Sequence, residues 1–153
     1  MPYSIVISDA SCIIALDNIG HLQLLQNIFS QIHTTHEVLS EVGIQLPDWV
    51  KIEEPSNKEF RQNLELTLDK GEASAIALAV EHKNCLLLID EIKGRETALN
   101  LGLQITGTIG IILSAKEHKL IEKVTPLLTD LIQHGFYIGN KLRLEILKKA
   151  GEV

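Results

Sequence analysis

Two short apolar runs, each stopping on an aspartate, constrain this chain more than any other feature. Ser4-Ile5-Val6-Ile7-Ser8 leads into Asp9, and Cys85-Leu86-Leu87-Leu88-Ile89 leads into Asp90. Both are too short and too uniformly apolar for amphipathic surface helices, so they read as parallel strands buried on both faces. In open α/β sheets, ligand sites form beyond the carboxyl ends of strands, so both acids are expected to face one crevice. One such Asp has a blander explanation, the N-cap of the next helix. Two, each after a buried strand, point to a site.

Weaker strand signals cover Ile32–Thr34, Trp49–Glu53 and Leu103–Thr106. Helical patterns fall at Ser11–Leu16, His21–Phe29, Thr35–Val42, Gly71–His82 and Lys93–Leu101. Two more are expected at Ile109–Glu117, capped by Thr108, and Lys141–Lys149, capped by Asn140. Gly102 and Gly151 stand where left-handed C-caps belong. Strands alternating with helices give an α/β sandwich with a mostly parallel central sheet flanked by helices. No repeat or linker interrupts it, and 153 residues suit a single domain spanning 1–153.

Composition narrows the function classes. No apolar run approaches a membrane span, and Met1-Pro2-Tyr3-Ser4 carries no basic leader, so a cytoplasmic protein is expected. Cys12 and Cys85, the two cysteines, form no CxxC pair, which argues against a disulfide framework or zinc knuckle. Cys12 reads as a small buried hydrophobe. The net charge of −6 is unevenly spread: residues 1–92 hold 5 Lys/Arg against 14 Asp/Glu, residues 93–153 hold 9 against 6. An acidic half able to hold a cation beside a mildly basic half able to hold phosphate suits a metallonuclease; ordinary surface charge is the plain alternative.

Glu72 adds a third candidate. It opens a helix, Gly71-Glu72-Ala73-Ser74-Ala75-Ile76-Ala77-Leu78-Ala79, whose body is small and apolar and therefore packed on several faces. The helix dipole explains an acid in a first turn, but small neighbours also let another backbone approach and hold the carboxylate toward the crevice. Thr106-Gly107-Thr108-Ile109-Gly110 joins a strand to a helix, where backbone N–H groups and hydroxyls hold a phosphate or simply make a turn and cap. It lacks the Gly-Lys-Ser/Thr ending of a Walker loop. Lys93 and Arg95, just after Asp90, are phosphate partners or solvated charges. His33 and His36 form no HExxH pattern and read as structural or surface residues.

The order of these segments resembles a family. Ile7-Ser8-Asp9-Ala10-Ser11, Val38-Leu39-Ser40-Glu41-Val42, the Gly71–Ala79 segment, Leu87-Leu88-Ile89-Asp90-Glu91 and Thr106-Gly107-Thr108-Ile109-Gly110 look like the successive signatures of PIN domains. The nearest likeness is to a prokaryotic PIN-like group, sometimes toxins of toxin–antitoxin pairs, and it covers nearly the whole chain. The resemblance implies a three-layer PIN-like sandwich and a metal-dependent endoribonuclease. It makes Asp9, Glu41, Glu72 and Asp90 the catalytic, metal-binding acids, with Glu72 where many relatives carry Asp. Glu91 follows as an extra ligand or a supporting group. Ala10 replaces the hydroxyl residue common after the first acid, leaving Ser11, and Cys12 and Thr35 stand where Pro is frequent.

The chemistry agrees with that implication. Phosphodiester hydrolysis builds negative charge on the attacking and leaving oxygens, which divalent cations neutralise while activating water. An all-carboxylate set without clustered His or Cys suits Mg²⁺ or Mn²⁺ better than zinc. Asp9 is expected as the central ligand, Asp90 and Glu72 as co-ligands, and Glu41 as ligand or water-orienting base. Ser11, Lys93, Arg95, Thr106 and Thr108 are the candidate substrate contacts.

Other readings compete. An aspartyl-nucleophile phosphatase wants a second Asp where Ser11 stands, and a receiver domain wants an acidic pair where Ser8-Asp9 stands. A non-catalytic PIN-like nucleic-acid-binding or protein-interaction module would keep the fold without turnover. RNA is the expected partner, an antitoxin and a homodimer follow from the resemblance, and no membrane is involved. The apolar stripe Leu120-Ile121, Val124, Leu127-Leu128, Leu131-Ile132 serves core or interface. No aromatic stacking platform is evident, so nothing points to sequence-specific reading of a single strand.

Overall fold

The computed structural model describes residues 3–153; Met1 and Pro2, part of the stretch read for a leader, lie outside the described residues. Five strands form one all-parallel sheet: β1 (Ile5–Ser8), β2 (Ile32–Thr34), β3 (Val50–Ile52), β4 (Cys85–Leu88) and β5 (Gln104–Thr106). Their order is β3-β2-β1-β4-β5. The chain thus builds outward from β1 to one edge, returns to the centre at β4, and builds outward again. This reversal makes the β1–β4 junction the topological switch point, where the carboxyl ends of two strands diverge into different helices and leave a crevice. The register pairs Ser8 with Leu88, so Asp9 and Asp90 leave the sheet at the same end. A hydrogen bond from Asp9 N to the Leu88 carbonyl, 2.9 Å long, fixes that exit.

Among the described residues nine helices flank the sheet: α1 (Ala10–Asn18), α2 (Gln23–Phe29), α3 (His36–Val42), α4 (Lys58–Leu64), α5 (Lys70–Val80), α6 (Ile92–Asn100), α7 (Thr108–Glu117), α8 (Thr125–Gln133) and α9 (Asn140–Lys149). Consecutive residues of β1 and all four of β4 are buried, as strands covered on both faces require. Helix α5 lies against β1 and β4 and packs with α3, α4 and α6, whereas α7 packs with α1, α2 and α9. Among the described residues no helix is long and apolar enough to cross a membrane.

Several local expectations are corrected. Thr108 and Asn140 are the first residues of α7 and α9 rather than their N-caps; Gly107 and Gly139 hold those positions without side-chain caps. Thr108 is drawn away because its hydroxyl is taken by Asp90. Helix α4, capped by Asn57 Oδ1 accepting from Phe60 N at 3.0 Å, gives little apolar periodicity because none of its residues is buried. The stripe after Leu120 is mainly core: Val124, Leu127, Leu128 and Leu131 are buried, the last three on α8. Gly102 (φ 80°) and Gly151 (φ 72°) do adopt the left-handed conformation after their helices.

Candidate metal centre

Asp9 occupies the N-cap position of α1, yet its side chain makes no capping bond. The residue is 3% exposed, and its Oδ1 has no hydrogen-bond partner among the described residues. A buried carboxylate oxygen without a donor is costly, and native structures retain such groups for a reason. Burial pushes the Asp9 carboxyl up to about 7; the Ala10 N–H offsets part of this, and the charges of Asp69, Glu41 and Asp90 add to it.

Asp90, two residues beyond the sheet's last register partner on β4, is held by three donors. Thr108 N donates to Oδ1 at 2.9 Å, Thr108 Oγ1 to Oδ2 at 2.7 Å, and the Cys12 thiol reaches Oδ2 at 3.4 Å. Its own N–H points to Ser11 Oγ at 3.4 Å. Gly107 is required here because a Cβ would stand 2.5 Å from Asp90 Oδ1 and 3.3 Å from the Ile89 carbonyl. Arg95, on the first turns of α6, donates to that same carbonyl at 2.8 Å. Burial, and after it the Asp90 charge, keeps the Cys12 thiol protonated and so a donor.

The remaining acids come from α3 and α5. Thr35 caps α3 by accepting from Val38 N at 3.2 Å and meets Ser74 of α5 at 2.6 Å, which locks the two helix starts together. Glu41, near the end of α3, accepts from Gly71 N at 3.0 Å, and a side chain at Gly71 would strike that carboxylate. Glu72 is 6% exposed, with Oε2 seated 2.7 Å from where a Gly94 Cβ would be. Burial pushes the Glu72 carboxyl up to about 8, helped by the Asp69 carboxyl beside it and then by Asp9 and Glu91. Partial burial, then Asp69, also raises Glu41, against the Gly71 N–H.

Asp69 is a fifth acid of this group. It caps α5, accepting from Glu72 N at 2.8 Å, and its charge acts on Asp9, Glu41 and Glu72 alike. The sequence carries its signal as Asp-x-x-Glu at a helix start, which the cap alone accounts for. Cys12 and Gly94 carried no sequence signal for a site, since a close approach is a property of the partner backbone.

The other candidates divide. Ser11, Glu91, Arg95 and Thr106 line a cleft of about 980 Å³ that opens beside Asp90. Lys93 is exposed on α6 and outside that lining, and Thr108 is buried with its hydroxyl turned to Asp90. Thr106 Oγ1 packs against Gly110.

Whether this set suits a divalent cation rests on the Asp9 oxygen, which has no donor, and on five oxygen-bearing acids whose charges act on one another. Both match hard-cation chemistry. Among the described residues no three His, Cys, Asp or Glu side chains stand close enough to enclose an ion as they are. Like charges repel, so such a set closes fully only around bound positive charge.

Fold and site together define an α/β protein with mutually interacting acids beyond the carboxyl ends of its two central strands. The family model DUF3368, a PIN domain, matches residues 5–152, and the chain belongs to the PIN domain family, whose members typically are metal-dependent nucleases. No curated protein matches it.

Proposed function

We propose that the chain is a metal-dependent endoribonuclease using Mg²⁺ or Mn²⁺, with Asp9, Glu72 and Asp90 as ligands, Glu41 as ligand or water-orienting base, and Glu91 as a supporting acid. The observation that carries this is the buried Asp9 oxygen without a donor, at the point where the two central strands diverge. A bound divalent cation supplies charge neutralisation at the phosphoryl group and a more acidic water. The chain's own residues do the rest. Thr108 and Cys12 fix the Asp90 carboxylate, Gly71 N–H fixes Glu41, and Asp69 orients the first turn of α5 that carries Glu72. Arg95, anchored on the Ile89 carbonyl, offers its remaining N–H groups to a phosphate in the cleft. Pre-set donors of this kind cost no reorganisation when the reaction occurs.

The resemblance to toxin members extends the proposal to a cytoplasmic protein that dimerises and is blocked by an antitoxin at this crevice. The nuclease reading is tested by incubating a mixed pool of labelled RNA, and DNA of the same sequences, with Mg²⁺, Mn²⁺ or EDTA. RNA cut only with metal supports it. Cutting that persists in EDTA, DNA cut as fast as RNA, or no cutting of any RNA in a mixed pool overturns it.

A further inference from the structure

We infer that Thr35 and Ser74 are positioning residues that set the balance between Mg²⁺ and Ca²⁺ at the proposed cation site, holding it toward Mg²⁺. They do so by fixing Glu41 and Glu72 relative to each other; the inference rests on the cation-site reading and deepens it. The buried hydroxyls among the described residues are Ser8, Thr34, Thr35, Ser74 and Thr108. All of them bond on segments that carry or adjoin a proposed ligand. Ser8 Oγ donates to the Asp9 carbonyl at 2.8 Å, Thr34 Oγ1 to the Ser8 carbonyl at 2.7 Å, and Thr108 Oγ1 to Asp90. A buried hydroxyl is costly unless bonded, and this core keeps its hydroxyls where they fix the acid-bearing segments.

Thr35 and Ser74 form a hydrogen-bond chain with a fixed direction. Ser74 Oγ donates to the Gly71 carbonyl at 2.8 Å, so its oxygen is left to accept the Thr35 hydroxyl at 2.6 Å. Thr35 Oγ1 in turn accepts from Val38 N at 3.2 Å. The Gly71 peptide closes the circuit, because its N–H donates to Glu41 Oε1 at 3.0 Å. Bonds thus run from the first turn of α3 to the first turn of α5 and back to the carboxylate near the end of α3, with Glu72 the residue after Gly71. Both hydroxyls are 0% exposed, so water does not replace a bond that opens. A shift of α3 against α5 therefore leaves a buried polar group unpaired.

Rigidity of this kind discriminates between cations. Mg²⁺ takes near-octahedral oxygens at about 2.0–2.1 Å, whereas Ca²⁺ accepts about six to eight oxygens at about 2.3–2.6 Å in flexible geometry. A frame that holds two ligand-bearing helices at one spacing keeps the carboxylates from spreading around the larger ion. Loosening it costs the ion with the stricter geometry more.

Calorimetric titrations of Mg²⁺ and of Ca²⁺ into the full chain compare wild type with Thr35→Val, Thr35→Ser and Ser74→Ala, each confirmed folded by its melt. Ser74→Ala opens the same chain from α5, should Thr35→Val fail to fold. Ile76→Val, a change in the fully buried core of α5 outside the chain, controls for loss of stability alone. Thr35→Val and Ser74→Ala are expected to raise the Mg²⁺ Kd about tenfold and the Ca²⁺ Kd far less. Thr35→Ser and Ile76→Val should keep the wild-type ratio of the two constants. A ratio unchanged in Thr35→Val and Ser74→Ala, a ratio that Thr35→Ser does not keep, or the same shift in Ile76→Val overturns the inference and leaves the cation site standing. Wild type that binds neither ion overturns the cation-site reading, and this inference with it.

Discussion

Replacing Asp9 with Asn should stabilise the metal-free protein in mild alkali while removing its proposed activity. The Asp9 carboxyl is raised from 3.8 to about 7, chiefly by burial. A carboxyl whose folded value lies above its unfolded one keeps its proton longer in the folded state. Stability therefore falls as pH rises from about 3.8 to about 7, then levels off. At 1.36 kcal/mol for each tenfold change in proton affinity, the fall attributable to Asp9 is about 4 kcal/mol. Asn carries no charge to desolvate, so the substitution removes this slope; Glu72, raised to about 8, keeps a slope of its own. For a chain of this length about 4 kcal/mol corresponds to a Tm change on the order of 10 °C. Thermal melts in EDTA at intervals from pH 5 to 8 make the comparison. Wild type should lose Tm across the range, and Asp9→Asn should lose much less and melt higher at pH 8. A wild-type Tm flat with pH, or an Asn variant less stable at pH 8, would refute the claim that this carboxylate is held at a cost.

Further outcomes follow from the same geometry. Mn²⁺ at a hundredfold excess over its Kd should raise the wild-type midpoint at pH 8 by the equivalent of about 2.7 kcal/mol, and should barely move Asp9→Asn in a denaturant titration. Gly107→Ala places a methyl 2.5 Å from Asp90 Oδ1, so cleavage should drop well over tenfold with about 1–3 kcal/mol of stability lost in the same titration. Thr108→Val strips a donor from Asp90 Oδ2 while keeping shape, costing about 1–2 kcal/mol; Thr108→Ser should restore both stability and rate. Glu152 accepts from Val124 N and from Thr125 N and Oγ1 and pairs with Lys116 at 2.8 Å. Burial opposes its ionisation but Lys116 and these donors outweigh it, holding the carboxyl down at about 2. Its contribution is thus full above about 4.5 and disappears as pH falls through about 2. Glu152→Gln should therefore cost about 1–2 kcal/mol at pH 7 and almost nothing near pH 2, as read from urea midpoints.

The buried strands and the two aspartates were legible because a parallel sheet writes its central strands as unbroken apolar runs, and a strand end is a definite place. Ile5–Ser8 and Cys85–Leu88 required no partner to be recognised. Glu41 is a different case: nothing local marks it, since its place depends on Gly71 lying opposite, and only the family resemblance singled it out. Asp69 was hidden by its own good explanation as a cap. Helix α4 was missed because it buries no residue, and the caps of α7 and α9 because Thr108 is engaged by Asp90 and Gly139 needs no side chain to precede a helix. Cys12 beside Asp90 is a product of tertiary packing between segments far apart in sequence.

The central claim is that acids from separate segments form one cation site. Calorimetric titration of Mn²⁺ into wild type, Asp9→Asn and Asp90→Asn, each confirmed folded by its melt, addresses it without reference to any substrate. Saturable binding by wild type, weakened at least tenfold by each substitution and displaced by Mg²⁺, is the predicted result. Wild-type protein that binds no Mn²⁺, or binding that both substitutions leave unchanged, would contradict it.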